Sequence, residues 1–437
     1  AKMADQRAKR TPMLSASVPI DVEVAIVGGG PGGLAACIAL RARGINAHIF
    51  EGESSLLRGS TGTGIMISAN GFRALEAIDP ALPDMMRAFG ARITSQSIRL
   101  TKPTGEEISA FSSNASRFLD AYGAEQYNIG WARAHELLAS MVPSDVVHCG
   151  YRLKSYALSP EGDKVDVIFE NGLSVSASLL VGADGAGSRV RRLVANDAAC
   201  KTQYNGQLLW NAILPTKDVP HVHGPGEVEF VRCGPDGQVI LAFDAGEGQT
   251  SWYLTMMEEH APPKVAAALK SGSFGGFGRA DVIEELKEVF APWPVALECL
   301  QATPESQIFE RRIADRPRLM QWADTSSRGG GRVVLMGDAA HPMVPSQGQG
   351  TMVTFEDAAD LAACIARSKQ NDASEALPAA VKAFVDRRAK RCAMVQRVSA
   401  KTYMGRPVPK LFPLKLLRLT WMRSSLNKIL GGYTPLS

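Results

Sequence analysis

Apolar residues recur along the chain in two rhythms. VEVAIV (22–27) is a short, dense, β-branched run, and after Pro31 the residues Leu34, Ile38 and Ala39 follow at helical spacing among small neighbours. INAHIFE (45–51) reads as a second strand that ends in an acid. These three pieces predict a βαβ unit whose helix packs closely on a sheet. The rhythm then changes to alternation. Residues 90–111 alternate about a turn at Lys102–Gly105, and 227–257 alternate more clearly as EVEFVRC, the turn GPDG, QVILAFDA and then TSWYLTMM. VDVIFENGLSVSASLLVGADG (165–185) returns to strand, turn and strand, 332–367 repeats strand, loop and helix, and 376–403 is helical in pattern. No internal repeat is present.

The expected fold is therefore α/β. A Rossmann-like nucleotide-binding domain (22–89 with 130–200 and 325–370) is interrupted by an inserted antiparallel-sheet domain for substrate (90–129 with 201–324), and a helical C-terminal region (371–437) follows. The 437 residues suit two or three domains at roughly 100–200 residues each. Hydrophobic residues at 45% and charged residues at 21% exclude disorder over most of the chain. A formal net charge of +4 is too small a bias to call for nucleic acid. No run approaches the ~18 apolar residues of a membrane-spanning helix.

The ends differ from the middle. Residues 1–21 are Ser- and Ala-rich, with Lys2, Arg7, Lys9 and Arg10 against Asp5 as the acid among the first twenty. That composition fits a disordered tail or the remnant of an organelle-targeting segment. Residues 401–437 carry seven basic residues and no acid. Within them, Leu416, Leu417, Trp421 and Ile429 interleave with Lys415, Arg418, Arg423 and Lys428. A basic amphipathic helix over 410–430 can lie on an anionic membrane surface, dock a partner protein, or pack on the protein's own apolar face.

Cysteines and histidines give little chemistry. Cys37, Cys149, Cys200, Cys233, Cys299, Cys364 and Cys392 are scattered, odd in number and outside any CxxC pair. They read as buried thiols of a protein in a reducing compartment, cytoplasmic or organellar (a plastid included), not as a disulfide framework or a zinc site. His221 and His223 have no further ligand cluster nearby, so no metal is expected.

Three glycine-centred motifs carry chemistry. In Gly28-Gly-Gly30-Pro-Gly-Gly33, Gly28 permits a tight turn, Gly30 lets the backbone approach a pyrophosphate, and Gly33 allows helix and strand to pack closely. The helix that opens there turns its unpaired N–H groups toward the phosphates. Glu51 ends the next strand, in place to accept hydrogen bonds from a ribose diol and to repel a 2′-phosphate. In LLVGADGAGSRVRR (179–192), Asp184 falls at a strand's carboxyl end. In GRVVLMGDAAHPMVPSQGQGTMVTFEDAADLA (331–362), Gly337 and Asp338 also follow a strand, where a carboxylate can grip a polyol. Pro345, Gly348 and Gly350 then lead into a helix near Thr351, whose start can stabilise negative charge. His341 is within reach of a base's role, but a structural histidine of the motif is the simpler reading.

In this order the motifs resemble those of the single-component FAD-dependent monooxygenases of the aromatic-hydroxylase class. Trp131-Ala-Arg133-Ala-x-x-Leu137 is similar to that family's arginine segment, and Gly62-Thr-Gly64-Ile to the loop passing beside the flavin. The similarity covers roughly 22–365, and 58–79 also resembles the same stretch of zeaxanthin epoxidases. The resemblance implies bound FAD, NADH or NADPH as reductant without a second nicotinamide Rossmann domain, and O2 captured as a flavin C4a-hydroperoxide. One oxygen passes to substrate and the other leaves as water. It further implies that Glu51 meets the adenosine ribose and Arg133 the FAD. Asp184 belongs to the family's DG motif, Asp338 grips the ribityl–pyrophosphate region, and Gly350–Thr351 approaches the pyrimidine edge. No acid–base residue is assigned.

Two positions depart from the family pattern. Met352 stands where many relatives have Asn, and Asn211 where many salicylate-hydroxylase-like members have Arg. The Asn211 departure weakens the case for a small anionic aromatic substrate. With the 58–79 resemblance, the candidate targeting remnant and the basic tail, it tilts the expectation toward hydroxylation or epoxidation of an aromatic or apolar substrate, a carotenoid-like one included. Trp210, Asn211, Phe230 and Phe243 are the candidate pocket residues, though alternation alone leaves their face undecided. A reductase, desaturase or cyclase of the same fold is an alternative, as is a redox-silent flavoprotein acting as a structural partner. A halogenase is disfavoured because no WxWxIP-like segment is present.

Overall fold

The computed structural model of the protein describes residues 20–57, 63–233, 238–369, 376–401 and 424–436. Its first strand, Ile20–Val27, sits inside a seven-stranded sheet, parallel to Ala47–Glu51 on one side and Ser174–Gly182 on the other. Val147–Cys149 and Val333–Leu335 extend the parallel part. Val165–Phe169 and Leu153–Leu158 complete it as antiparallel strands. Val24, Ile26, Leu179 and Val181 are buried, as strands covered on both faces must be. Helices Pro31–Arg41 and Gly350–Ser368 pack on this sheet through Leu34, Ile38, Phe355 and Leu361.

The two alternating blocks join in one eight-stranded sheet. Its order is Gly276–Phe277, Phe309–Asp315, Gln203–Pro215, Gln249–Met257, Gln238–Asp244, Glu227–Cys233, Ser95–Thr101 and Glu107–Asn114. The two blocks meet in parallel, Phe230 opposite Ile98, while each block is antiparallel within itself. The GPDG turn at 234–237 lies outside the described residues.

Alternation sorts the faces of this sheet. Leu208, Trp210, Ala212 and Leu214 pack against Leu286, Phe290 and Leu300 of helices Val282–Phe290 and Pro294–Ala302. Leu209 points the other way and clusters with Phe243, Tyr253, Ile313 and Val344. Val344 belongs to the segment between the last parallel strand and the helix Gly350–Ser368, so this second face looks onto the nucleotide-binding motifs.

The helix Ala376–Lys401 shares the core of the seven-stranded sheet. Residues 424–430 are helical, and Ile429, Leu430 and Tyr433 are buried in that same core. The described end of the basic stretch is thus docked on its own chain. Leu416, Leu417, Trp421, Lys415, Arg418 and Arg423 lie outside the described residues, as do residues 1–19. Among the described residues, no helix is long and apolar enough to cross a membrane. All seven cysteines are free; Cys149 and Cys200 are only partly buried, against expectation. Burial pushes the Cys37 thiol up to about 12, which leaves it inert.

Candidate active site

The three motifs meet at the carboxyl ends of the parallel strands, and glycines let them. A Cβ at Gly28, whose φ is +111°, would fall 2.4 Å from the carbonyl oxygen of Ala183, next to Asp184. One at Gly33 would fall 1.9 Å from the Gly28 carbonyl oxygen. Gly32 and Gly337 close on the same side chain, that of Thr354, at 2.6 Å and 3.0 Å from their missing Cβ atoms. Gly30 and Gly350 face open space instead. The chain is close-packed behind the loops and open in front, the shape of a cradle for a pyrophosphate.

The acids at this cradle are held differently. Glu51 is buried, accepts from the Gly29 amide at 2.6 Å and from the Glu53 amide at 3.0 Å, and so stands beside the glycine turn. Asp184 accepts from the Ser188 hydroxyl and from the Arg189 and Val190 amides at 2.6 Å and 3.2 Å. Its carboxylate therefore shapes the start of the helix Arg189–Val194. Asp338 is the open one. It is solvent-accessible yet has protein mass on most sides, and that enclosure raises its carboxyl above the usual range against the pull of His341 and Arg311.

Arg191 ties two motifs together. It is buried, and its guanidinium donates to the carbonyls of Ala339 at 3.0 Å and Ala340 at 2.6 Å, and also to Ala199 and Pro317. The loop after Asp338 is thereby fixed to the helix after Asp184.

Beneath the helix start at Gly350 lies a charged network that pattern reading missed. Glu356, Asp357 and Asp360 are wholly buried on the helix Gly350–Ser368. Arg388 meets Glu356 at 2.7 Å and Asp357 at 2.8 Å, while Arg391 and Arg387 pair with Glu356 and Asp360 at 2.6 Å and 2.7 Å. Asp357 also accepts from the Gly337 amide at 2.9 Å and bonds His341 Nε2 at 2.6 Å. Burial opposes a charged His341, but the facing Cys392 sulfur and the Asp357 carboxylate outweigh it and hold the imidazole well above its ordinary range. His341, Asp357 and Cys392 are close enough to share a metal ion, yet the Arg388 guanidinium already supplies positive charge at Asp357. His341 is thus a structural residue. The acids at Glu356, Asp357 and Asp360 and the basic run Arg387, Arg388 and Arg391 were the available signal. His221 and His223 do not converge either: His221 approaches Glu298 and His223 bonds Thr250.

The sheet face opposite the motifs receives some of the expected pocket residues. Phe243 lies against Gly64, where a Cβ would come within 2.6 Å of its ring. Asn211 is buried and pairs in register with Tyr253. Phe230 lies two residues from Val228 on its strand, on the same face and farther out. Trp210 is corrected: it is on the opposite face, fully buried, with its indole donating to Glu310 at 3.0 Å. Met352 faces Gly71 of the helix Ala69–Ile78 and not the cleft. Arg133 bridges Glu136 and Glu247 at 3.2 Å and 2.8 Å and stacks over Phe89. The residue of its helix that touches the glycine turn is His135, whose Nε2 lies 2.7 Å from the Gly29 carbonyl oxygen. Pro345 opens the short turn Pro345–Gln347, and Gly348 follows at φ +60° beside Met66. Gly62 lies outside the described residues.

A family model described as an FAD binding domain matches residues 21–268 and 295–398. The chain belongs to this family of FAD-dependent monooxygenases. Aurachin C monooxygenase/isomerase of Stigmatella aurantiaca is 32% identical to it over 343 residues, covering 78% of this chain and 80% of the relative. A chloroplastic zeaxanthin epoxidase of an Oncidium hybrid cultivar is 29% identical over 372 residues, 83% of this flavin monooxygenase but 51% of the epoxidase. Klebsiella pneumoniae HpxO, solved with FAD and uric acid, shares the fold at a TM-score of 0.74 and 22% identity, over 94% of this chain and 95% of that one.

Proposed function

We propose that the protein is driven by NADH or NADPH and hydroxylates or epoxidises an aromatic or apolar small molecule with O2. The observation that carries this reading is the meeting of the three glycine motifs in front of the apolar sheet face of Leu209, Phe243 and Tyr253. The open cradle at Gly30 fits a pyrophosphate, and the accessible Asp338 fits a ribityl chain. Bound there and reduced, FAD would supply the two electrons and the oxygen activation that the side chains lack.

The chain's own residues bind and orient. Glu51 would accept from the adenosine ribose, and with the Gly28 and Gly29 amides already given to Phe50 and Glu51, the Gly30 amide would donate toward the pyrophosphate. Asp338 holds the ribityl region. The amides at Gly350 and Thr351, at an open helix start, would favour negative charge on the flavin's pyrimidine edge. Glu356, Asp357 and Arg388 keep that helix start in place. Phe243, Leu209 and Tyr253 offer apolar surface to the substrate and keep water out. Arg133 is assigned to the cofactor through exchange of its surface pairs with Glu136 and Glu247.

The test begins with the absorbance spectrum of the purified protein, to establish FAD. NADH and NADPH oxidation and O2 uptake are then followed across phenolic, quinonoid and carotenoid compounds. Stimulated uptake with one ¹⁸O atom from ¹⁸O2 in the product supports the reading. Bound FAD with no stimulated turnover on any compound overturns it.

A further inference from the structure

We propose that Arg311 is the anion anchor of the substrate cleft, and that the substrate presents it with an anionic oxygen: a phenolate, an enolate or a carboxylate. This rests on the monooxygenase reading above and narrows its substrate class.

The argument starts from three consecutive charged residues on the strand Phe309–Asp315. Alternation sends Glu310 and Arg312 to one side of the sheet and Arg311 to the other. Each of the outer pair has a charged partner, with the Arg312 Nε alone left over. Glu310 accepts from Trp210 at 3.0 Å and from Arg279 at 2.7 Å, and Arg312 meets Glu258 at 2.8 Å. Arg311 shares the face of Ile313 and stands in register opposite Leu209, so it lies on the apolar cleft face with Phe243, Tyr253 and Val344.

There its Nε is left over, shielded from solvent without a hydrogen-bond partner, and no carboxylate among the described residues lies within ion-pair distance. Its guanidinium lies over the Phe309 ring at 6.0 Å. Tyr253 and Asp338 act on it only through space, and burial depresses its basicity. A guanidinium enclosed by protein with an idle donor is costly unless a ligand completes it. Its planar fork matches two oxygens of a carboxylate, or the oxygen of a phenolate together with a bridging water. Asn211, on the neighbouring strand beside it, brings an amide but no charge. Arg232 falls on the same face farther along, beside Val239, so Arg311 is the cation set next to Leu209 and Ile313.

The test uses the FAD-loaded protein and three pairs of probes: benzoate, salicylate and 4-hydroxybenzoate, each with its amide. Binding is read from the perturbation of the flavin absorbance, and FAD affinity is measured separately by fluorescence. The wild type should bind at least one acid tenfold or more tighter than its amide. Arg311→Met should abolish that preference and Arg311→Lys should restore part of it, with FAD affinity within twofold of wild type in both. A wild type that binds no acid better than its amide overturns the proposal, and so does a preference that survives Arg311→Met. Loss of FAD affinity with the preference intact also overturns it, by giving Arg311 to the cofactor's phosphates. Should Arg311→Met fail to fold, Arg311→Lys decides alone: an unchanged preference counts against the anchor. Failure of the parent reading shows elsewhere, as absent FAD or absent O2 uptake.

Discussion

The Tyr253 hydroxyl engages both backbone polar groups of Gly64, accepting from its amide and donating to its carbonyl, each at 2.9 Å. It fastens the eight-stranded sheet to the strand Gly64–Ile67, next to the loop expected beside the flavin. Tyr253→Phe should cost about 1–2 kcal/mol of stability, the net worth of buried hydrogen bonds with Ser251 still serving the amide. Thermal melting of the apoprotein reads the loss, and a larger drop in FAD affinity than in stability would show that the clasp serves the cofactor.

The glycines of the first motif should separate by what lies around them. Gly33→Ala drives a Cβ into the Gly28 carbonyl and should lower the yield of folded protein. Gly30→Ala meets nothing in the protein, so the apoprotein should melt within about a degree of wild type. Its FAD affinity should nonetheless fall about tenfold or more, ~1.4 kcal/mol. Fluorescence titration with FAD checks the pair.

Arg388→Met should be among the most damaging single changes outside the cradle. It leaves the Asp357 and Glu356 carboxylates buried with one fewer cation, at a cost of about 3–5 kcal/mol. Denaturant unfolding measures the loss. FAD affinity in the surviving folded fraction tests whether the Gly350 helix start has moved.

The His341–Asp357 pair sets a pH window. The folded pKa of His341 is raised, so its stabilisation is complete below its unfolded pKa, about 6.5, and is lost as pH rises through the folded value. The folded pKa of Asp357 is lowered, because the His341 and Arg388 charges overcome burial. Its stabilisation is present above about pH 4 and is lost as pH falls through the folded value. The melting temperature should therefore decline on both sides of the interval, and His341→Asn should flatten the alkaline decline.

Trp210→Phe should separate core from cleft. The change removes a donor from the buried Glu310 and should cost about 1–3 kcal/mol. Because Trp210 faces the helices, KM for the substrate should stay within about twofold of wild type while stability falls.

Much of this architecture was legible in the residues. The β-branched run at 22–27, the glycines after it and Glu51 announce a nucleotide cradle, because each step there has few chemical solutions. The alternation at 227–257 announces a sheet. It cannot say which face meets the cofactor, and so Trp210 and Phe243 looked equivalent until tertiary packing separated them. The Asp357–Arg388 contact joins two helices across 31 positions, and no local rhythm encodes it. Arg311 stayed hidden for the opposite reason: one charge among Glu310, Arg311 and Arg312 looks like any solvated surface strand.

The pairing of strands that are distant in sequence also dictates how this molecule comes into being. Val24 pairs with Leu179, and Leu180 pairs with Val333, so the central sheet closes only after most of the chain has been made. The other sheet waits in the same way, since Phe230 must find Ile98. Such non-local closure makes for slow acquisition of the native state and a long interval with unpaired edges exposed. Synthesis that outruns chaperone capacity should therefore deliver this protein into aggregates before any flavin can reach it.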